Sequence, residues 1–486
     1  MPVPIRRWIE VQGFRSNPFE YYEADQEDLL ASYFVEPEWF EALRGNPRNP
    51  ASAVLFAPRG HGKTSQRLQI ARLCGEDARN RALVIQINDY KWLPTDLTTL
   101  TSRDYLRYIV DEAGRIIWAR IEADSACRQR FAASDLDRLR LHALRFWACP
   151  PARRLTLPEP TFDAATTQQL ARRLRIPATS NHLADLLVET QANYYKTTPD
   201  ADLQSELLAL AQLADFVSLY ILIDRTDEDL QTAQRLDIAL DRLAPLIADL
   251  PVLEHRGYAF KFFLPDGLET LLNERGIGRV GERPKSYPLR WEDDDLKRML
   301  ALRLQSYSPL PGRVGRIARI NRFQDLCEAG GDADTQLVRA AGCSPRRMIQ
   351  LAREVLEYHC NKITDAEMKI SRALLNEHIP LPIPKIALDH TGFVAFDGQR
   401  REDIRLTPLE RQVLGALWGR RGEIISKEEL ARTIYSDNDP NALEALEKVI
   451  KRLRKKVEPQ PNPTARQFLY IEYIPFMGYR LLHFFE

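Results

Sequence analysis

Ala53-Val-Leu-Phe-Ala-Pro-Arg-Gly-His-Gly-Lys-Thr64 decides how the chain is read. Ala53 to Ala57 are apolar or small and predict a buried strand. Pro58, Gly60 and Gly62 then turn the chain into Lys63-Thr64, after which Ser65 to Arg72 has a helical pattern. Strand, glycine loop and helix in that order form a phosphate loop, because backbone N–H groups wrap a phosphate only where side chains stay out of the way. Pro58, Arg59, Gly60, His61, Gly62, Lys63, Thr64 and Ser65 are therefore the candidate nucleotide contacts. Lys63 is expected to reach the terminal phosphates and Thr64 to offer its hydroxyl to Mg²⁺. Ala57 replaces the first glycine of the G-x-x-x-x-G-K-[ST] pattern, which a backbone with φ below zero tolerates.

A second motif is Leu219-Tyr-Ile-Leu-Ile-Asp-Arg-Thr-Asp-Glu228, an apolar strand ending in a carboxylate. Asp224 is the expected partner of a nucleotide-bound Mg²⁺, and Glu228 is the favoured base for orienting a water, with Asp227 the alternative. Ala82 to Asp89, Gly257 to Pro265 and Tyr287 to Trp291 are read as further strands. Asp266 closes the fourth. Arg275, Arg279 and Arg283 are candidates for reaching a neighbouring subunit's phosphate.

At 486 residues the chain exceeds one core, and roughly 100 to 200 residues per domain predicts about three. Net charge is zero, so attraction to nucleic acid has to come from a local patch. The six scattered cysteines fit buried thiols in a reducing cytoplasm rather than disulfides or zinc. No apolar run is long enough for a signal peptide or a membrane span, so no membrane partner is expected.

Residues 1–50 are aromatic-rich, with short helices expected at Asp25–Ala31 and Pro37–Leu43, and Phe34 and Val35 are candidates for contact with adenine. A helical insertion at about 100–215 is dense in arginine and acid. Helices resume from Glu292, including Gly312–Ile320 and Ser344–Tyr358. A proline near the start of the last places Arg346 at a helix base. Ile379-Pro-Leu-Pro-Ile-Pro-Lys385 is a stiff linker.

Taken together, the phosphate loop, five strands, Asp224-Arg-Thr-Asp-Glu228 and a helical lid with a Pro-Arg pair resemble the AAA+ and STAND ATPases over residues 15 to about 362. That resemblance implies an α/β P-loop NTPase core with a five-stranded parallel sheet in the order 5-1-4-3-2, ATP and Mg²⁺ as ligands, and Arg346 as a γ-phosphate sensor. The expected divisions are a flanking segment 1–50, a core 51–291, a lid 292–378, the linker 379–385 and a last domain 386–486.

In that last domain three short strands are expected at Lys385–Asp389, Phe393–Phe396 and Ile404–Leu406. Three helices and a hairpin follow, with Ser426 and Glu429 read as a capping box. Leu406-Thr-Pro-Leu-Glu410, Ile425-Ser-Lys-Glu-Glu-Leu430, Lys451-Arg-Leu-Arg-Lys-Lys456 and Gly478-Tyr-Arg480 resemble the winged-helix effector domain of OmpR-type response regulators. The resemblance implies that the third helix enters the major groove of double-stranded DNA. Lys448, Lys451, Arg452, Lys455 and the wing residue Arg480 are the candidate contacts, with Arg454 and Lys456 on the same helix. The sequence thus expects an ATP-driven regulator. Two other readings stay open: a STAND-like signalling or defence scaffold that forms homo-oligomers and uses the winged helix or the insertion for protein contacts, and a DNA-remodelling motor.

Overall fold

A computed structural model of the chain describes residues 2–77, 79–94, 96–148, 169, 172, 198–228, 232, 235–277, 280–308, 320–329, 331–379, 385–388, 394–396, 399–401, 404–435, 441–458, 470–474, 478–482 and 484. It divides into two compact units, residues 1–380 and 381–486. Within the expected insertion, residues 149–168, 170, 171 and 173–197 lie outside the described residues, as do the linker prolines, Arg279 and all of the expected helix Gly312–Ile320 but its last residue.

The first unit is built on a five-stranded parallel sheet: β1 Ala53–Ala57, β2 Ala82–Ile87, β3 Ser218–Ile223, β4 Tyr258–Pro265 and β5 Lys285–Pro288. Their order is β2-β3-β4-β1-β5, the expected 5-1-4-3-2 seen from the other edge. Strands β1, β3 and β4 are buried at every position, which is why their sequences are apolar without alternation. Ala57 sits at the end of β1 outside the positive-φ region, so the missing glycine imposes no strain.

Successive side chains of each strand face opposite layers. Val54, Phe56, Leu219, Ile221 and Ile223 meet a core built with the helices Ser102–Ala123 and Asp200–Leu213. Those helices belong to the insertion, whose described part is thus a structural layer of the core. Two of its arginines, Arg130 and Arg138, pair with Asp215 at 2.5 Å and Glu206 at 3.1 Å, the pattern of a solvated charged face. On the other layer Leu55, Tyr220 and Leu222 pack with the N-terminal segment and with the lid helices Asp293–Tyr307, Ala333–Ala340 and Pro345–Lys362. The sheet therefore separates the insertion from the lid, and the phosphate loop opens on the lid side.

Several expected boundaries move. The fifth strand is Lys285–Pro288 rather than Tyr287–Trp291, an exposed edge strand with no apolar run to mark it. In the N-terminal segment the helical pieces are Ile5–Val11, which was not expected, and Ala24–Gln26, Leu30–Tyr33 and Phe40–Arg44, the last three shorter than or offset from the expected pair, with Glu27 and Trp39 turned inward to pack. Cys343 is exposed and left-handed at φ 61°, whereas Cys74, Cys127 and Cys360 are buried thiols.

In the second unit β6 Ile386–Leu388, β7 Val394–Phe396 and β8 Gln399–Arg400 form an antiparallel sheet. The third strand is thus not Ile404–Leu406: Phe396 pairs with Gln399, the earliest point at which the chain can return beside β7. Helices Pro408–Gly419, Lys427–Ile434 and Ala442–Val457 follow, then the hairpin β9 Ile471–Ile474 and β10 Gly478–Leu481. Thr407 and Glu410 make a full capping box. At Ser426 only half of the expected box forms: Ser426 Oγ accepts from Glu429 N at 3.1 Å, but the Glu429 carboxylate is drawn away to Arg420. Gly478 is obligatory, since a Cβ there would lie 2.0 Å from the Ile425 carbonyl oxygen that accepts from Tyr479 N.

Candidate nucleotide site and winged-helix surface

The loop after β1 turns through Gly60 at φ 83° and Gly62 at φ 93°, both in the left-handed region where glycine is at ease. A Cβ on Gly60 would also stand 3.0 Å from Ser344 Oγ. Gly60 thus serves close approach as well as its left-handed turn, while Gly62 is needed for its backbone conformation alone. The helix Lys63–Glu76 begins at the loop and points its N-terminal amides into it. Lys63 Nζ donates to the carbonyls of Ala57 at 2.9 Å and Pro58 at 3.3 Å, spanning the loop. Burial pulls the Lys63 ammonium below its ordinary range, while Asp227, Asp224, Asp266 and Glu228 pull it back. Trp291 Nε1 donates to His61 O at 2.7 Å and fixes the tip; the His61 ring folds back, its Nδ1 3.3 Å from Arg59 O.

Asp224 follows directly on β3, and the sheet brings it beside the loop. Thr64 Oγ1 donates to Asp224 Oδ2 at 2.9 Å, joining two motifs 160 residues apart. The main-chain N–H of Arg225 donates to Asp224 Oδ1 at 2.9 Å, and Arg225 holds the left-handed φ of 61°, a strained conformation for a non-glycine residue at a functional turn. Tyr90 OH donates to the Asp224 carbonyl at 2.8 Å. Glu228 stands 3.3 Å from Arg225 Nε, and burial raises its carboxyl above the usual range, with Arg225 opposing the shift. Asp227 is buried at the same turn. Asp266, by contrast, caps its own helix by accepting from Gly267 N, and its main-chain N–H bonds to Ala57 O.

Over this floor lies a pocket open to solvent. Its walls include the expected Phe34 and Val35 from the N-terminal segment, Met299 and Ile349 from the lid, and Arg346, Asp227 and Glu228. Arg346 N donates to Gly60 O at 3.3 Å, so the first turn of the lid helix rests on the phosphate loop. Gln66 also lines the pocket: fully buried, with neither amide atom hydrogen-bonded among the described residues. A buried amide of that kind calls for a polar ligand. With the glycine cradle and the hard-oxygen pair Thr64 and Asp224, the residues fit a nucleotide and its Mg²⁺.

Two features were not read from the sequence. Arg67 is buried beneath Asp224, donating through Nε to Asp224 Oδ2 at 2.9 Å, through Nη2 to Asp25 Oδ1 at 2.6 Å, and through Nη1 to Gln86. Its signal was its place one helical turn beyond Thr64. Arg303 is buried in the lid and donates to Glu27 Oε2 at 2.6 Å, Pro18 O at 2.5 Å and Tyr21 O at 2.7 Å. Tyr307 OH donates to the same carboxylate at 2.7 Å. Of the candidate fingers, Arg275 pairs with Asp241 at 2.7 Å and Arg283 with Glu254 at 3.7 Å.

On the helix Ala442–Val457, Leu446, Val449, Ile450, Leu453 and Val457 are buried. Lys448, Lys451, Arg452 and Lys455 share the opposite face, one helical turn apart. Lys451, Arg452 and Lys455 are exposed, with no ion pair among the described residues, while Lys448 pairs with Glu444 at 2.6 Å and Arg480 with Glu472 at 2.5 Å. Arg454 and Lys456 are structural: the first donates to Ile471 O at 2.6 Å, the second to Glu410 at 2.5 Å.

Strand order, cradle, Asp224 and the lid seated on Gly60 give the first unit the architecture of a P-loop NTPase core. The second unit is a winged helix of the OmpR type: residues 401–481 match the family described as "Transcriptional regulatory protein, C terminal". No curated protein matches the chain. Among the solved structures that are similar, two share low identity with the chain. The Thermotoga maritima response regulator DrrB, an OmpR/PhoB homolog, is 18% identical over 49% of this chain and 94% of its own, with a TM-score of 0.17. The Aeropyrum pernix ORC2 protein, solved as ADPNP-ADP complexes, is 11% identical over 99% of this chain and 94% of its own, with a TM-score of 0.32. Scores this low carry no argument, so the reading rests on the sheet, the loop and the matched residues.

Proposed function

We propose that the chain is an ATP-dependent regulator in which nucleotide binding by the first unit controls double-stranded DNA binding by the second. The observation that carries the reading is the 2.9 Å bond from Thr64 to Asp224, which unites the two halves of a Mg·nucleotide site. Thr64 and Asp224 hold the metal, which when bound neutralises phosphate charge. Lys63 and the loop amides bind the phosphates, Phe34 and Val35 take the base, and Arg346 contacts the terminal phosphate from the lid. Because Arg346 belongs to the same helix turn that donates to Gly60, a triphosphate bears on the seating of the lid. Glu228 orients and deprotonates the attacking water.

Lys63→Ala abolishes ATP binding measured by equilibrium fluorescence, while Glu228→Gln retains binding and loses turnover. Normal turnover in the Gln variant moves the base to Asp227. A base works deprotonated and partial desolvation raises the Glu228 carboxyl, with Arg225 opposing, so turnover falls on acidification at a higher pH than an ordinary glutamate gives. That acidic limb should be absent from the residual rate of Glu228→Gln.

A further inference from the structure

We infer that Arg67 is a resident cation at the metal carboxylate, set there so that the chain holds ATP with little help from Mg²⁺; the inference rests on the nucleotide reading above. Asp224 offers two oxygens, and both already accept. Oδ2 takes Thr64 Oγ1 and Arg67 Nε, each at 2.9 Å, and Oδ1 takes the Arg225 main-chain N–H at 2.9 Å. Arg67 is 1% exposed, and its other guanidinium nitrogens are engaged by Asp25 and Gln86, so it is anchored on three sides.

The consequence is electrostatic. A metal ion is drawn to Asp224 by the negative potential of its carboxylate, and a guanidinium fixed on the same oxygen removes much of that potential. The same positive charge lies one helical turn beyond Thr64, buried behind Asp224 rather than in the pocket wall, and acts on the phosphates through the field it adds to the helix N-terminus. Asp25 sets the strength of the effect. It accepts from Arg67 and also from Arg225, and its side chain is 30% exposed, so it partly cancels the charge that Arg67 brings. Removing the arginine and removing Asp25 must therefore move Mg²⁺ dependence in opposite directions.

The experiment measures the affinity of the full chain for ATP in excess Mg²⁺ and in EDTA, and takes the ratio. The parent chain should give a small ratio. Arg67→Gln should widen the ratio by about tenfold or more, the effect of deleting one unit charge beside the carboxylate. Asp25→Asn should narrow it. A folded Arg67→Gln whose ratio equals or falls below that of the parent overturns the inference. If that variant gives no cooperative melt, Asp25→Asn decides: a narrower ratio supports the inference, and an unchanged or wider one overturns it. A parent chain that binds no ATP in either condition instead defeats the nucleotide reading itself.

Discussion

The two functional surfaces handle charge in opposite ways. Around the nucleotide pocket a set of charged groups is buried and committed: Arg67 to Asp224 and Asp25, Arg303 to Glu27, Lys63 to two loop carbonyls. On the winged helix the face carrying Lys451, Arg452 and Lys455 is open to solvent, and only its flanks, Lys448 and Arg480, are tied to acids. A buried charge acts on a small ligand at fixed positions and is costly to disturb; an exposed one acts at a distance, is screened by salt, and contributes little to stability. The first surface suits positional recognition of phosphates, the second a polyanion met in many registers.

Cutting into the committed set gives the largest effect. Arg303→Met strands Glu27 in the pocket wall and should cost about 3–5 kcal/mol in a urea melt of the first unit. A loss under about 1 kcal/mol would mean that the pair is solvated in practice and the contrast overstated. The open set should behave otherwise. Replacing Lys451, Arg452 and Lys455 together by alanine should leave the melt nearly unchanged while lowering the slope of log affinity for duplex DNA against log salt by about 2–3. An unchanged slope would assign that face to a protein partner instead.

The smallest effect comes from a buried charge with no site to serve. Lys261 on β4 is 1% exposed, donates to Ala51 O at 2.6 Å, and is pulled by burial down to about 7. Its folded pKa is depressed below the unfolded value, so folding loses stability as pH falls from near 10.5 through about 7. Lys261→Met should therefore raise Tm at pH 7, the gain being the ionisation cost less the lost bond to Ala51 O, and the advantage should shrink by pH 10.

What the sequence made legible was local. The phosphate loop announces itself within Pro58 to Thr64, the buried strands as unbroken apolar runs, and the winged helix through Thr407, Pro408 and Glu410 at a helix start. Arg67, Asp25, Glu27 and Arg303 were not legible as partners, because their pairing joins segments 42 to 276 residues apart and each alone reads as an ordinary surface charge. The edge strands β5 and β8 were misplaced for a related reason: neither Lys-Ser-Tyr-Pro nor Gln-Arg forms an apolar run, and their position is set by the neighbouring strand. Ser426 shows the limit of a cap motif, since Glu429 found a better partner in Arg420.

The central claim is that a nucleotide held between Lys63, Asp224 and Arg346 governs what the winged helix does. The most direct measurement is duplex DNA binding by fluorescence anisotropy, with and without ATP and Mg²⁺, for the parent chain and Lys63→Ala. The account predicts that ATP shifts the parent's DNA affinity by about tenfold, and that the Lys63 variant ignores ATP. An identical DNA affinity in the parent with and without bound ATP would contradict it.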